Sequence, residues 1–228
     1  MNCSIVFQGP TTYCKQVLKN FSSKCEIIYS TWFDEPKENL EFIESKVSKL
    51  ILNEYPEYVG KNNINKQCVS TKNGILAANN EFIFKSRTDI LFSNVDLLMQ
   101  KIASSHIADI SFLCYYTFAT PHQITDFFSY GSKEESLKFW DYTQKPDQSF
   151  PNYPDPECPE RQLILNYMSQ KGKNDINEFL KNSNYFANHL NKDNCDLIWL
   201  KHNQSLFEGW ARDLKDNKTP NLEAINLI

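Results

Sequence analysis

Three charged side chains alternate at the end of one predicted strand. An apolar run over residues 82–84 leads into Lys85, Arg87 and Asp89. Successive side chains of a strand point to opposite faces, so these three share one face. Two cations and a carboxylate near a buried strand are costly unless they meet a ligand or a partner. Lys85 or Arg87 suits a diphosphate and Asp89 suits a divalent cation, while a structural Arg87–Asp89 pair is the alternative.

Two earlier predicted strands also end in polar segments. Gln8-Gly9-Pro10 follows the first apolar run, and Ser30-Thr31-Trp32 follows the second. Gly9 permits a close backbone approach, although an ordinary turn explains that segment equally well. Trp32 either stacks on a base or packs in the core. Because doubly wound sheets bind ligands beyond the carboxyl ends of their strands, both segments are candidate ligand contacts.

A predicted helix near residue 64 begins with an unusual number of polar side chains. Helix N-termini attract anions, which would make this segment part of a phosphate or sugar site. Helix capping and a solvated face explain the same composition. The polar residues are Asn63, Asn65, Lys66, Gln67, Ser70 and Thr71.

The elements that position these segments alternate between strands and helices. A strand, a turn, a helix and a second strand open the chain, which predicts a right-handed βαβ unit and a parallel sheet. Residues 36–60 show only partial helical spacing, and residues 118–159 are interpreted as loops and short helices over a site. Strands are predicted near residues 4–7, 26–29, 82–89, 107–115 and 196–201, and helices near 64–78, 95–104 and 161–170.

Composition excludes several classes of function. A net charge of −4 over 228 residues gives no basic footprint for duplex nucleic acid. Seven widely spaced cysteines with no CxxC pair argue against a disulfide framework or a zinc site. The sequence shows neither a signal peptide nor an apolar stretch of about 20 residues. We therefore expect a cytoplasmic protein. Peripheral contact with the inner face of the cytoplasmic membrane stays open, because lipid-linked acceptors lie there.

Taken together, the ordered motifs resemble the WavE family of lipopolysaccharide-synthesis proteins. The resemblance implies an α/β fold: a GT-A-like, Rossmann-type single domain with a mostly parallel central sheet flanked by helices. It also implies sugar transfer, with residues 1–115 as a nucleotide-sugar-binding half and residues 116–228 as an acceptor-binding half with a C-terminal extension. The matching segments are residues 5–10, 27–32, 63–71 and 84–90, followed more loosely by 126–131 and 159–162.

The same resemblance implies roles for particular residues. In GT-A glycosyltransferases a DxD-type motif ends the strand at which Arg87-Thr88-Asp89 stands, so Asp89, with His202, would hold Mn²⁺ or Mg²⁺. Arg87 replaces the first carboxylate and would itself neutralise the departing diphosphate. Glu160 is the first candidate general base and Asp126 the second, although a glutamate at a helix start is also simply favoured by the helix dipole. The donor site would comprise Gln8, Gly9, Pro10, Thr31, Trp32, Asn65, Gln67, Lys85 and Arg87.

The partners predicted for this enzyme are a nucleotide-sugar donor and an oligosaccharide or lipid-linked glycan acceptor, with no nucleic acid. A nucleotidyltransferase is disfavoured because Gln8-Gly9-Pro10 is not a basic, glycine-rich loop. A P-loop NTPase is excluded by the absence of its GxxxxGK[ST] motif. A non-catalytic scaffold protein of a glycan-assembly complex remains the rival interpretation, since the first carboxylate of the DxD-type motif is missing.

Overall fold

A six-stranded sheet forms the centre of the protein. The computed structural model describes residues 2–19, 21, 25–92, 99–100, 104, 110–112, 126–148, 159–172, 197–200 and 204–205. The strands of the central sheet are β1 (Cys3–Gln8), β2 (Glu26–Trp32), β3 (Lys49–Asn53), β4 (Phe82–Arg87), β6 (Ile110–Phe112) and β7 (Phe128–Ser132). A smaller sheet contains β5 (Ile90–Phe92), β8 (Leu197–Trp199) and β9 (Gln204–Ser205).

The central sheet is mostly parallel. Its order is β3-β2-β1-β4-β7-β6, and the β3-β2, β2-β1 and β1-β4 pairs are parallel. Only β7 runs the other way, because it is antiparallel to both β4 and β6. The chain builds outward from β1 through β2 to β3 and then returns to place β4 on the opposite side of β1. The order therefore reverses between β1 and β4.

Helices cover both faces of this sheet. They are α1 (Cys14–Lys19), α2 (Lys37–Glu44), α3 (Ile64–Ala77), α4 (Lys133–Trp140) and α5 (Pro159–Gln170). Alternation along β1 sends Ile5 and Phe7 into one buried cluster with α1 and α2, and Val6 into a second with α3, α4 and α5. The predicted fold class, an α/β domain with a mostly parallel central sheet flanked by helices, is confirmed.

Helix α3 packs directly against β1 and β2 because of its small and apolar residues. Ile64, Cys68 and Ile75 recur at helical spacing and are all buried. A Cβ atom added to Gly74 would lie 2.5 Å from Val6 Cγ1, so glycine is needed for this close approach. The predicted apolar stripe of this helix is confirmed, and the helix start is thereby fixed beside the carboxyl ends of the strands.

The structure differs from the sequence predictions in two places. Within the ambiguous segment 36–60, α2 ends at Glu44 and the chain then forms the edge strand β3. Within 118–159, where loops and short helices are predicted, β7 joins the central sheet and α4 packs beneath it. Both differences extend the sheet, and the second brings Asp126 to the start of β7.

A polar cluster lies at the side of the sheet where the parallel strands begin, which we call the amino edge; the side where they end is the carboxyl edge. This amino-edge cluster comprises Ser4, Glu26, Lys49, Asn79 and Asn80. Glu26 Oε1 accepts hydrogen bonds from Asn79 Nδ2 at 2.8 Å and Lys49 Nζ at 3.2 Å. Its Oε2 accepts from Ser4 Oγ at 2.5 Å and Asn79 N at 2.8 Å. Burial alone would raise the pKa of Glu26, but these hydrogen bonds lower it below its ordinary value of 4.5.

The smaller sheet continues the chain just after β4. Leu200 N donates a hydrogen bond of 2.9 Å to the carbonyl oxygen of Asp89, next to the β5–β8 pair. This contact fixes the backbone at the end of β4 from the side of the smaller sheet. Among the described residues, no helix is both long enough and apolar enough to cross a membrane.

Candidate functional site

A cavity of about 490 Å³ opens beyond the carboxyl ends of β1, β2 and β4. This is the place where the strand order reverses, and ligands of open α/β sheets bind in the crevice at such a point. The start of α3 forms the opposite wall. Eight of the residues predicted from the sequence line the cavity: Gln8, Gly9, Pro10, Trp32, Gln67, Arg87, Asp89 and Asp126.

Gly9 forms the floor of the cavity where β1 meets β4. Its φ of 137° is rarely adopted by residues with a side chain, and an added Cβ would lie 2.5 Å from Thr88 Oγ1. Gly9 N donates to Ser30 O at 3.2 Å, and Thr88 N donates to Gln8 O at 3.1 Å. The turn after β1 is thus held between the ends of β2 and β4. Glycine is required because Thr88 occupies the space where a side chain would stand.

Arg87 joins two carboxylates on the wall formed by β4 and β7. Its Nε and Nη2 donate to the two oxygens of Asp89 at 2.8 and 2.7 Å. Its Nη1 lies 3.1 and 3.2 Å from the two oxygens of Asp126. The guanidinium lies 5.1 Å from the ring centre of Phe127, which is within cation–π range. The Arg87–Asp89 pair considered as an alternative from the sequence exists, and Asp126 extends it to a cluster of three.

Burial would lower the pKa of Arg87, but the negative charges of Asp126 and Asp89 raise it well above its ordinary value. The guanidinium is therefore permanently charged. With one cation and two carboxylates, this cluster carries a formal charge of −1. Its arginine side chain is 23% exposed and reaches the cavity, whereas the Asp126 side chain is only 2% exposed.

Two stacked aromatic rings and a lysine form the wall opposite Arg87. The rings of Trp32 and Tyr55 lie 4.7 Å apart with an interplanar angle of 19°. Lys66 Nζ lies 4.9 Å from the Trp32 ring centre and 4.2 Å from that of Tyr55. Gln67 is next to it, and its Oε1 is buried with no hydrogen-bond partner among the described residues. This wall can offer a stacking surface, a positive charge and a hydrogen-bond acceptor to a ligand.

Glu35 supplies a third carboxylate to the cavity, and it comes from the loop after β2. Its Oε2 accepts from the backbone N and the hydroxyl of Thr11, at 3.1 and 2.6 Å. The Thr31 hydroxyl lies 3.4 Å from its Oε1. Asn39 holds the Thr11 hydroxyl from behind through a 3.0 Å hydrogen bond. Glu35 is therefore fixed by its neighbours but still faces the cavity.

The structure does not bring Thr31 and Asn65 into the cavity. Thr31 is fully buried and supports Glu35 from below. Asn65 Nδ2 donates to the carbonyl oxygens of Tyr58 and Gln144, both at 2.8 Å, and its Oδ1 accepts from Gln144 N at 2.7 Å. All the hydrogen-bonding groups of the Asn65 amide are thus used to join loops, so the residue has a structural role.

Lys85 also lies away from the cavity. It is 1% exposed, and its Nζ lies 4.6 Å from the Trp140 ring centre on the α4 side of the sheet. The same nitrogen donates to the carbonyl oxygen of Asp126. Lys85 and Arg87 share a face as predicted, but only Arg87 extends past the end of the sheet. Lys85 instead holds the backbone of Asp126 from beneath the cavity.

The structure does not describe the side chains of two predicted residues. The backbone of Glu160 lies in the first turn of α5, but its side chain is not among the described ones. His202 lies outside the described residues altogether. Their predicted roles, general base and metal ligand, stay predictions.

The described carboxylates do not fit a divalent cation as they stand. Mn²⁺ and Mg²⁺ need several oxygen ligands around one position. Both oxygens of Asp89 and both of Asp126 already accept hydrogen bonds from Arg87. Within the described parts of the chain, no group of three or more His, Cys, Asp or Glu residues is arranged to hold a metal ion.

Seven of the residues that line the cavity are not among the predicted site residues, and they include Glu35, Tyr55 and Lys66. Lys66 lies in the polar segment at the start of α3 but is not among the predicted donor-site residues. The predicted pair Asn65 and Gln67 is about 200° apart on a helix, so the two side chains point in nearly opposite directions and only Gln67 lines the cavity. Glu35 had a signal too, since an acidic residue soon after the second strand of such a fold often binds a ribose hydroxyl.

Known structures offer distant similarities. S. aureus TarS 1–349 is 12% identical, aligns over 74% of this chain and 56% of its own, and has a TM-score of 0.44. The mannosyltransferase PcManGT from Pyrobaculum calidifontis, in complex with GDP-Man and Mn²⁺, is 11% identical over 74% and 52%, with a TM-score of 0.47. The apo-form glycosyltransferase GlyE of Streptococcus pneumoniae TIGR4 is 11% identical over 73% and 43%, with a TM-score of 0.48. This chain thus spans about half the length of these proteins.

No curated protein matches the sequence. A protein family does, and the match covers nearly the whole chain, from residue 4 to residue 226. The segments that form the cavity, at the ends of β1, β2 and β4 and the start of α3, all lie inside it. The chain belongs to the WavE lipopolysaccharide synthesis family.

Proposed function

We propose that this protein is a GT-A-like glycosyltransferase that moves a sugar from a nucleotide-sugar donor to a growing bacterial surface glycan, in lipopolysaccharide or capsule. One observation carries the proposal. A single cavity at the switch point of the sheet combines stacked aromatic rings, two cations and an acidic residue after β2. A nucleoside diphosphate has a flat base, a ribose and a diphosphate, and each of these matches one of those groups.

The aromatic wall suits the base of the donor. Tyr55 is 41% exposed and stacks on Trp32, so a base can extend the stack from the cavity side. The buried Oε1 of Gln67 needs a donor, which a base N–H would supply. Glu35 would accept hydrogen bonds from the ribose hydroxyls, as an acidic residue after the second strand does in dinucleotide-binding folds.

Lys66 and Arg87 suit the diphosphate. Lys66 extends from the first turn of α3, where the helix dipole also favours an anion. Arg87 also lines the cavity, where Asp89 and Asp126 hold its guanidinium in place as a fixed positive group for phosphate oxygens. Glycosyl transfer develops negative charge on the departing nucleotide. Prearranged groups that stabilise such charge usually contribute more to catalysis than any other single effect.

The acceptor hydroxyl must lose a proton if transfer inverts the anomeric centre. Asp126 is poorly suited to take it, because both of its oxygens accept hydrogen bonds from Arg87. We therefore keep Glu160 as the proposed general base and assign Asp126 to hold Arg87 in place. In this proposal residues 1–115 form most of the donor site and residues 116–228 most of the acceptor site. Transfer would take place in the cytoplasm, near lipid-linked acceptors at the membrane.

The first experiment is a thermal-shift screen with nucleoside diphosphates and nucleotide-sugars. A ligand at about 100 times its dissociation constant adds about 2.7 kcal/mol to the stability, which is readily seen as a higher Tm. We expect one base to be preferred. Lys66→Ala should weaken that binding at least about tenfold, since hydrogen bonds to charged groups contribute about 1.5–3 kcal/mol.

Lys72→Ala is the matched control, because Lys72 lies on the same helix and pairs with Asp141 at 2.5 Å rather than lining the cavity. The control should bind like the wild type. If no nucleotide raises the Tm, or if both lysine variants behave alike, the donor site is wrongly placed. Release of the nucleotide in the presence of a glycan acceptor then separates an enzyme from the rival scaffold protein, which would bind the donor without turnover.

A further inference from the structure

Arg87 lies between the two carboxylates at the end of β4 and the start of β7 that could otherwise hold a divalent cation. Its guanidinium bridges Asp89 and Asp126, with N–O distances of 2.7 to 3.2 Å to all four carboxylate oxygens. An ion between the same two side chains would need those same oxygens. The guanidinium and a metal ion therefore compete for one position. The guanidinium has the advantage that it is covalently attached to the chain and is always present there.

Displacing the arginine would be costly. The Asp126 side chain is 2% exposed and that of Asp89 is 12% exposed, so little water reaches either carboxylate to replace Arg87 as its partner. Removing one member of a buried ionic cluster leaves an uncompensated charge. Backbone contacts also fix both aspartates: Lys85 binds the carbonyl oxygen of Asp126, and Leu200 binds that of Asp89. The cluster is thus held in its present arrangement from two sides.

The cavity has positively charged side chains from two different elements among its lining residues. Arg87 stands on the β4 side and Lys66 on the α3 side, and both line the cavity. Lys66 and the guanidinium of Arg87 are thus two positively charged groups that a diphosphate can contact here, and the cluster of Arg87 with Asp89 and Asp126 has a formal charge of −1. Asp89 and Asp126 then act as positioning residues, because they orient the guanidinium and do not coordinate an ion.

Resting on the proposed function, we infer that this protein binds the diphosphate of its donor without a divalent metal, with Arg87 in place of the ion. The inference concerns binding and stabilisation of the departing nucleotide. Arg87 stands at the position of the first carboxylate in a DxD-type motif. It would contact the diphosphate itself, whereas a carboxylate there would hold a metal ion that does so.

Isothermal titration with UDP and with GDP tests this directly. The wild type is titrated in EDTA and again with excess Mn²⁺. We expect the dissociation constant of the preferred nucleotide to agree within about threefold between the two conditions, a difference of less than about 0.7 kcal/mol. Electron paramagnetic resonance of Mn²⁺ with the free protein should show no saturable binding.

Arg87→Gln adds a second arm, because glutamine is neutral but still polar. It should weaken binding in EDTA at least about tenfold, while Lys72→Gln, which removes a charge outside the cavity, should not change it. If Arg87→Gln fails to fold, the two wild-type titrations still decide the question.

The outcomes separate this inference from the proposed function. Nucleotide binding that appears only with Mn²⁺, or tightens by about tenfold or more, would overturn the metal-free inference and leave the transferase proposal standing. Wild-type affinity in Arg87→Gln would also overturn it. Absence of nucleotide binding in both EDTA and Mn²⁺ would remove the proposed donor site, and the inference with it.

Discussion

The two edges of the central sheet carry similar polar residues but use them differently. At the amino edge, Glu26 accepts hydrogen bonds from Ser4, Asn79 and Lys49 on neighbouring segments. At the carboxyl edge, Glu35 is held by Thr11 and still faces a cavity. One carboxylate is enclosed by donors of the protein itself, while the other retains a face for a ligand.

This difference separates stability from binding. A buried carboxylate surrounded by its own donors contributes to folding, because removing it leaves several donors without partners. A carboxylate that lines a cavity keeps some contact with water, so its loss costs less in folding and more in ligand affinity. The same distinction separates Asn65, whose amide is fully used, from Lys66, whose side-chain nitrogen lies over aromatic rings and lines the cavity.

The largest effect on stability is expected at Gly9 of the carboxyl edge, where there is no space for a side chain. Gly9→Ala forces a side chain into a φ of 137° and places its Cβ 2.5 Å from Thr88 Oγ1. Backbone strain and overpacking together should lower the free energy of unfolding by about 3 kcal/mol. Urea denaturation followed by circular dichroism measures this.

Gly172→Ala is the matched control for Gly9→Ala. Gly172 also has a positive φ, 66°, but its added Cβ would meet nothing within 4 Å. We expect only the cost of backbone strain, about 1 kcal/mol, and unchanged nucleotide binding. Equal losses for the two variants would show that the contact with Thr88 is not what makes Gly9 necessary.

A pair of isosteric substitutions compares the two edges next. Glu26→Gln puts an amide NH₂ among Asn79, Lys49 and Ser4, which donate to both oxygens of Glu26, and should cost about 2 kcal/mol. Glu35→Gln keeps one oxygen for Thr11 and should cost less than about 1 kcal/mol. Both are measured by urea denaturation.

Nucleotide affinity should show the opposite order. Glu35→Gln should weaken binding about tenfold, because a neutral amide is a poorer acceptor for ribose hydroxyls than a carboxylate. Glu26→Gln should bind like the wild type under conditions in which it is folded. A variant of Glu26 that lost affinity while remaining folded would contradict the separation of the two edges.

Much of this arrangement was readable from the sequence. Strand ends are local features, so polar residues directly after apolar runs correctly placed Gln8, Trp32 and Arg87 at one edge. The parallel pairing of the first two strands followed from the βαβ pattern. The apolar stripe of α3 was equally clear, since its residues recur at helical spacing.

What the sequence did not reveal depends on contacts between distant segments. Strand β3 is short and its residues are mostly half-buried, so it shows no clear alternation. Strand β7 pairs with β4 across a long stretch of intervening chain, and nothing local indicates that pairing. Without β7, neither the contact of Asp126 with Arg87 nor the buried position of Lys85 could be predicted, because both depend on where that strand joins the sheet.

The smallest expected effect is a pH dependence specific to the amino edge. The pKa of Glu26 in the folded protein lies below its ordinary value of 4.5, because its hydrogen bonds outweigh its burial. A group with a lowered folded pKa stabilises the protein above its unfolded pKa and loses that contribution as the pH falls through the folded one. The stability difference between the wild type and Glu26→Gln should therefore be constant near neutral pH and shrink below about pH 4.5. Urea denaturation at a series of pH values measures it. A difference that stayed constant down to about pH 3 would mean that the charge of Glu26 is not what holds the cluster, and that the shape of the side chain alone keeps this edge closed.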